Sequence, residues 1–209
     1  MMNKVAPKKS RYKDVFRKEW TFIKSVVSMS ELPKLDLPEI AFVGRSNVGK
    51  SSLINALAQQ KQLARSSNTP GRTQHLNFFK LGGNLFVVDL PGYGYAKAPL
   101  EQKEKWQHLI YLYLTERRNL RRLYLLIDSR HGFMAIDIEM MNLLDVETIP
   151  YTIVLTKTDK IGSMKCKAIE ESVLKEISTR PVAYPQIFST SSQKRNGIEA
   201  LKENIKSIL

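Results

Sequence analysis

Gly44-Arg45-Ser46-Asn47-Val48-Gly49-Lys50-Ser51 fits G-x-x-x-x-G-K-[ST], the pattern of a phosphate-cradling loop between a strand and a helix. Its flanks supply both. Glu39-Ile40-Ala41-Phe42-Val43 reads as a short buried strand, and Ser52-Leu53-Ile54-Asn55-Ala56-Leu57-Ala58 as an amphipathic helix. Two glycines let the backbone wrap close to phosphate oxygens, and successive N–H groups at the helix start form an anion nest. Residues 44–52 are the expected phosphate contacts. Lys50 is expected to reach the β- and γ-phosphates, and the Ser51 hydroxyl to ligate Mg²⁺.

Downstream, strands and helices alternate. Residues 76–81 and 85–90 flank the hairpin turn Gly82-Gly83-Asn84. Leu123-Tyr124-Leu125-Leu126-Ile127 and Tyr151-Thr152-Ile153-Val154-Leu155 are nearly all apolar, as in parallel strands buried on both faces. Gln186-Ile187-Phe188 reads as a short last strand, and helical patterns cover 100–117, 135–145, 165–178 and 198–209. Repeated β–α units predict a three-layer α/β fold, with helices around a mostly parallel sheet that has one antiparallel edge strand. The domain is expected to span 31–209. Residues 1–30 form a basic N-terminal extension packing on it, with a short packed segment near 15–24. Pro33 and Pro38 exclude a helix entering the first core strand.

Ligands of such sheets bind at the carboxyl ends of the strands, and the remaining motifs fall there. Asp89-Leu90-Pro91-Gly92 is D-x-x-G after the strand at 85–88. Asp89 can hold a Mg²⁺ shell through water, and the Gly92 N–H can contact a γ-phosphate. Thr156-Lys157-Thr158-Asp159 follows the strand at 151–155. The Asp159 carboxylate can accept from guanine N1–H and N2–H₂, a donor pair that adenine lacks. The Lys157 stem can cover the base. This motif usually begins with Asn, and Thr156 is shorter. Ser189-Thr190-Ser191 ends the last strand with small residues whose backbone N–H groups can approach the base O6. Between the first helix and the hairpin lies a loop ending Gly71-Arg72-Thr73-Gln74-His75. It is expected to carry the Thr that completes the Mg²⁺ shell. Thr73 is the candidate and Thr69 its competitor, while His75 reads as a strand-edge packing residue. Lys50, Thr73 and Gly92 are the candidates for acting on the reacting phosphate.

The chain has 209 residues, of which 43% are hydrophobic, which suits one globular domain and excludes the disordered class. No apolar run approaches about 18 residues, and the N-terminus lacks the apolar core of a signal peptide. Cys166 is the one cysteine, which excludes an internal disulfide or a four-ligand zinc site. A cytoplasmic protein is expected. The net charge of +13 exceeds what a nucleotide needs and predicts a second polyanionic partner, RNA above all. The excess is clustered in residues 4–18, in Arg117-Arg118-Asn119-Leu120-Arg121-Arg122 and in Gln193-Lys194-Arg195.

P-loop, loop Thr, D-x-x-G and T-K-x-D in this order resemble the translation-factor-related GTPases. Asp89-Leu90-Pro91-Gly92-Tyr93-Gly94-Tyr95-Ala96 is similar to the second switch of the EngB family. So are the stretch from Gly44 to Asn55, Thr69-Pro70-Gly71-Arg72-Thr73-Gln74, and Thr156-Lys157-Thr158-Asp159, where Thr is usual in that family. The resemblance covers nearly the whole chain. It implies a P-loop GTPase (Ras-like) fold, with GTP hydrolysed to GDP and phosphate in the presence of Mg²⁺. Residues 71–75 would form the first switch, and Asp89 to Gly92 would begin the second. Ser51 and Thr73 would ligate Mg²⁺, with Asp89 acting through water. It also implies a role in assembly of the large (50S) ribosomal subunit, with links to cell division and septation. The partners would be that subunit or its precursor, met by a monomer without stable membrane insertion.

In Ras-like GTPases a Gln follows the D-x-x-G glycine and orients the attacking water. Here the residue is Tyr93, so slow intrinsic hydrolysis is expected. Asn47 offers a place for K⁺ beside the phosphates, or else closes the loop by hydrogen bonds. Tyr93 and Tyr95 read as packed switch residues in the free protein that meet RNA in a complex. The rival classes are a P-loop small-molecule kinase, a GTP-binding module with negligible turnover, and a membrane-linked division protein.

Overall fold

Apolar runs buried on both sides set the centre of the fold. β2 (Glu39–Gly44), β4 (Leu85–Asp89) and β6 (Tyr151–Thr156) are buried at every position. The computed structural model describes residues 15–34, 36–64, 75–94 and 100–209, and only the backbone of 100–103 and 106. The other strands are β1 (Trp20–Val26), β3 (Leu76–Leu81), β5 (Leu120–Asp128) and β7 (Phe188–Ser189). The helices are α1 (Lys50–Ala58), α2 (Leu100–Glu116), α3 (Ala135–Val146), α4 (Ser163–Ile177) and α5 (Ile198–Ser207).

The sheet runs in the order β1-β3-β4-β2-β5-β6-β7. Successive side chains of β2 alternate between its faces. Ala41 and Val43 join Tyr113 of α2, Met141 of α3 and Val173 of α4 in one core. Ile40 and Phe42 join Leu53 of α1 and Leu201 of α5 in the other. Each such buried aliphatic side chain contributes about 1.5–3 kcal/mol of transfer free energy. The three layers follow from this two-sided pattern.

Two boundaries differ from expectation. β3 is the one reversed strand, paired antiparallel with both β1 and β4, so it lies inside the edge. The edge is β1, supplied by residues assigned from sequence to the extension at 1–30. β1 escaped recognition because its pattern does not alternate: only Trp20 and Val26 are buried. A register shift between Phe22 and Lys24 breaks the period. The last strand is Phe188–Ser189, shifted from the expected 186–188.

The arginine run divides in two. Arg117 is buried, and its Nε lies 3.0 Å from each carboxylate oxygen of the fully buried Glu39. Its Nη2 donates to the Pro33 carbonyl at 2.8 Å, and the Tyr113 hydroxyl donates to Glu39 at 3.0 Å. The Arg122 guanidinium lies 4.5 Å over the Tyr184 ring. These two arginines hold the fold together. Arg118 and Arg121 are exposed, and Arg121 is the extra residue where β5 slips register against β2.

Candidate active site

The loop after β2 opens directly into α1. Gly49, at the helix N-cap, has φ 105°, a conformation that costs glycine little and strains other residues. No side chain caps the helix, so its first N–H groups remain available to an anion. Those groups belong to Lys50, Ser51 and Ser52. Val48 is buried in the core beneath the loop, and Asn47 is exposed with φ 60°.

Lys50 and Asp89 meet here as a direct ion pair between the ammonium and Asp89 Oδ1. Both are buried, at 9% and 3% exposure, so each charge depends on the other. Both were expected to face the ligand, Lys50 on phosphate and Asp89 on the metal's water shell. In the structure the two side chains pair with each other. The Ser51 hydroxyl makes no hydrogen bond with a described residue and is half-buried beside them. One hydroxyl and one carboxylate fit Mg²⁺, which keeps several waters and takes substrate phosphates as ligands.

The loop after β6 is stapled onto the P-loop. Thr156 Oγ1 donates to the Val48 carbonyl at 2.6 Å. Lys157, with φ 58°, donates from Nζ to the Asn47 carbonyl at 2.5 Å and lies 2.9 Å from Asp128 Oδ2. Asp128, at the end of β5, also takes a two-pronged contact from Arg130 at 2.9 and 2.7 Å. Burial pushes the Asp128 carboxyl pKa up, but hydrogen bonds from Arg130 and Lys157 outweigh it and hold the group well below the usual range. Asp128 therefore anchors Lys157. The sequence reading missed it, although an acid closing a buried strand is a usable signal.

Asp159 accepts from the Ser191 hydroxyl at 2.6 Å. That bond chiefly lowers its pKa, and Lys160 adds to the effect, so a charged acceptor stands ready at neutral pH. The loop after β7 differs from expectation in detail. The Thr190 N–H donates to Leu155 O and the Ser191 N–H to Asn196 O, while Ser189 Oγ donates to Glu170. Among the described residues the Ser192 N–H, next in the loop, has no acceptor.

Within D-x-x-G, Leu90 is fully buried, so only its backbone can face a ligand. Pro91 is also buried. Gly92 lies so close to the P-loop that a Cβ on it would sit 3.2 Å from Ser46 N. His75, half-buried, precedes β3. Gly71, Arg72, Thr73 and Gln74 lie outside the described residues, as do Thr69 and Tyr95.

P-loop, D-x-x-G and T-K-x-D thus share one end of the sheet. Residues 39–157 match the family model described as 50S ribosome-binding GTPase. A probable GTP-binding protein EngB from Ruegeria pomeroyi is 53% identical over 184 residues, covering 88% of this chain and 85% of that protein. The chain belongs to the EngB family. Its homologue from Mesorhizobium japonicum is 50% identical, with 92% of this chain and 95% of that one covered. A crystal structure of a probable GTP-binding protein engB superimposes with TM-score 0.66 at 25% identity, over 81% of this chain and 97% of that one. Aquifex aeolicus Era, 22% identical, shares the fold with TM-score 0.65 over 83% of this chain and 57% of its own. Like its family, this EngB-type chain is a GTP-binding GTPase.

Tyr93, where Ras-like proteins carry Gln, is packed away at 8% exposure. Its hydroxyl donates to Asp137 Oδ1 at 2.7 Å. Burial, then the Asp137 charge, raise its pKa far above the usual phenol range, so it is a neutral donor. The Arg45 side chain, of the expected phosphate-contact stretch, has its Nε 3.3 Å from Asp137 Oδ2 and its Nη2 3.4 Å from Gly132 O. The sequence reading missed Asp137, which nothing local marks.

Proposed function

We propose that this GTPase is a nucleotide-dependent switch in assembly of the large ribosomal subunit, linked through it to division and septation. The observation that carries the RNA partner is the pair Arg118 and Arg121. Both are exposed and without an ion pair among the described residues, in a chain of net charge +13. Unpaired surface cations suit RNA phosphates. The family model's description as 50S ribosome-binding supports the same reading.

GTP would lie across residues 44–52, its base between Lys157 and the Asp159–Ser192 region. On binding, the Lys50 ammonium leaves Asp89 for the β- and γ-phosphates. Asp89, through water, Ser51 and Thr73 would hold Mg²⁺. The ion, once bound, neutralises charge developing on the phosphates. Water attacks the γ-phosphorus and the bond to the β-phosphate oxygen breaks, giving GDP and phosphate. Lys50 and the N–H groups of the P-loop and Gly92 stabilise the charge that develops.

Because Tyr93 is buried and its hydroxyl engaged, no side chain at that position orients the water. Intrinsic hydrolysis is therefore slow, and the ribosomal particle or K⁺ beside Asn47 completes the site. Equal turnover in Na⁺ and K⁺ buffers would remove the K⁺ contribution. The decisive experiment is binding to 50S subunits or their precursors with GDP, a non-hydrolysable GTP analogue or no nucleotide, across a salt series. Tighter binding with the analogue, weakening as salt rises, is expected. Absence of binding in every state would overturn the ribosomal role. The buried Tyr93 also favours a second reading, a monomeric GTP-binding module in the cytoplasm with negligible turnover, acting on a division or membrane partner. Turnover stimulated by ribosomal particles would exclude it. No helix among the described residues is long and apolar enough to cross a membrane.

A further inference from the structure

Three parts of the molecule converge on the Asp137 carboxylate, which is fully buried. Oδ1 accepts from the Tyr93 hydroxyl at 2.7 Å, at the start of the second switch. Oδ2 accepts from the Met134 N–H at 2.9 Å, closing the first turn of α3. Arg45 of the P-loop faces the same oxygen at 3.3 Å without making a hydrogen bond from Nε. Its guanidinium also meets Met134 Sδ and the Gly132 carbonyl, both just ahead of α3.

The backbone of Tyr93 is held at the same place. Its N–H donates to Gly44 O at 3.2 Å, and its carbonyl accepts from the Ser46 N–H at 3.1 Å. Tyr93 thus straddles Arg45 as a one-residue parallel bridge, after Pro91 and Gly92 interrupt the β2–β4 ladder. Gly92, one residue earlier, packs closely against the P-loop backbone. A Cβ there would lie 3.2 Å from Ser46 and 3.3 Å from Gly44 O, so any side chain at this position would push the P-loop backbone aside by a few tenths of an ångström. The next residue, Gly94, has φ 79°, a conformation in which the chain can turn away at little cost.

We propose that Asp137 is a positioning residue for GTP hydrolysis: by holding the Tyr93 hydroxyl it sets Gly92 against the P-loop, where the terminal phosphate must be met. Asp137 touches neither nucleotide nor metal and acts only through Tyr93. The proposal rests on reading Gly92 as the γ-phosphate contact. It follows that α3 and the second switch are coupled. Anything that draws the start of α3 away from Tyr93 slows hydrolysis without weakening GDP, which has no γ-phosphate to lose.

The test compares Tyr93→Phe, Asp137→Asn, their double variant and Gly92→Ala in the full chain. The readouts are kcat, KM, and affinities for GDP and for a non-hydrolysable GTP analogue with Mg²⁺. Tyr93→Phe keeps the buried ring and removes only the hydroxyl, so it decides the matter even if Asp137→Asn folds poorly. Both single variants are expected to lower kcat and analogue affinity by about tenfold while GDP affinity stays within about twofold. The double variant is expected to be no worse than the poorer single, since both break one link. Wild-type kcat and discrimination in Tyr93→Phe would overturn the proposal. So would parallel loss of GDP and analogue affinity, the sign of a merely structural role. If Gly92→Ala loses discrimination and Tyr93→Phe does not, only the role of Asp137 falls. If Gly92→Ala keeps discrimination, the γ-phosphate contact falls too, and the proposal with it.

Discussion

Thr156 Oγ1 donates to the Val48 carbonyl across 2.6 Å, joining the T-K-x-D loop after β6 to the P-loop after β2. The bond is buried, and its acceptor is the carbonyl just before Gly49. Thr156→Val keeps the shape and deletes the donor, leaving that carbonyl unsatisfied. The cost is expected to be about 1–3 kcal/mol, seen as a lower Tm. GDP and GTP-analogue affinities should fall together, because the staple serves both ends of the nucleotide. A variant that loses only γ-phosphate discrimination would contradict this.

The Lys50–Asp89 pair makes a different prediction. Asp89→Asn leaves a buried ammonium without its counter-charge, so the nucleotide-free protein should lose about 3 kcal/mol or more. Yet Lys50 no longer has to leave Asp89 to reach phosphate. Mg²⁺-free GDP should therefore bind the variant more tightly than it binds the wild type, while hydrolysis demands more Mg²⁺. Calorimetric titration in chelator measures the first effect. Weaker Mg²⁺-free GDP binding in the variant would sink the exchange of partners.

Asp159 should make base recognition resistant to acid. Its carboxyl pKa is lowered in the folded protein, chiefly by the Ser191 hydroxyl. A lowered folded pKa means that its contribution is complete above the ordinary Asp value of about 3.9 and is lost only as pH falls through the lower folded value. Ser191→Ala removes the donor, so GDP affinity should begin to fall at a higher pH than in the wild type. Affinity profiles that coincide throughout the acid range would refute the assignment.

The arginine run should split under mutation. Arg117→Ala strands the buried Glu39 carboxylate and is expected to cost about 3–5 kcal/mol. Arg118→Glu and Arg121→Glu should leave stability within about 0.5 kcal/mol. Each should lower the slope of ribosomal-particle affinity against salt by about one. An unchanged slope in the double charge reversal would remove these two residues from the RNA-facing surface.

The motifs that can be read from sequence are contiguous ones. A P-loop, D-x-x-G or T-K-x-D is a local backbone shape, and its glycines and small residues are required by that shape wherever the chain carries it. Position was readable as well, because apolar runs such as 123–127 must be buried on both faces, which puts the loops after them at one end of a parallel sheet. β1 was harder. A bulged edge strand buried only at its ends has neither a helical nor a strand period. The arginine run misled for a related reason: charge is visible in a string, whereas the buried partner of Arg117 lies 78 residues away.

Composition and local spacing thus carried what a short segment shows by its own backbone: the P-loop, D-x-x-G and T-K-x-D patterns and the surplus of positive charge. Folding alone decided which polar groups pair with one another. Lys50 with Asp89, Lys157 with Asp128, Arg45 with Asp137 and Tyr93 with Asp137 each join residues from different strands, loops or helices. The reason is physical. A buried charge is tolerated only beside a partner, and only the packing of the sheet against its helices determines which partner is within reach.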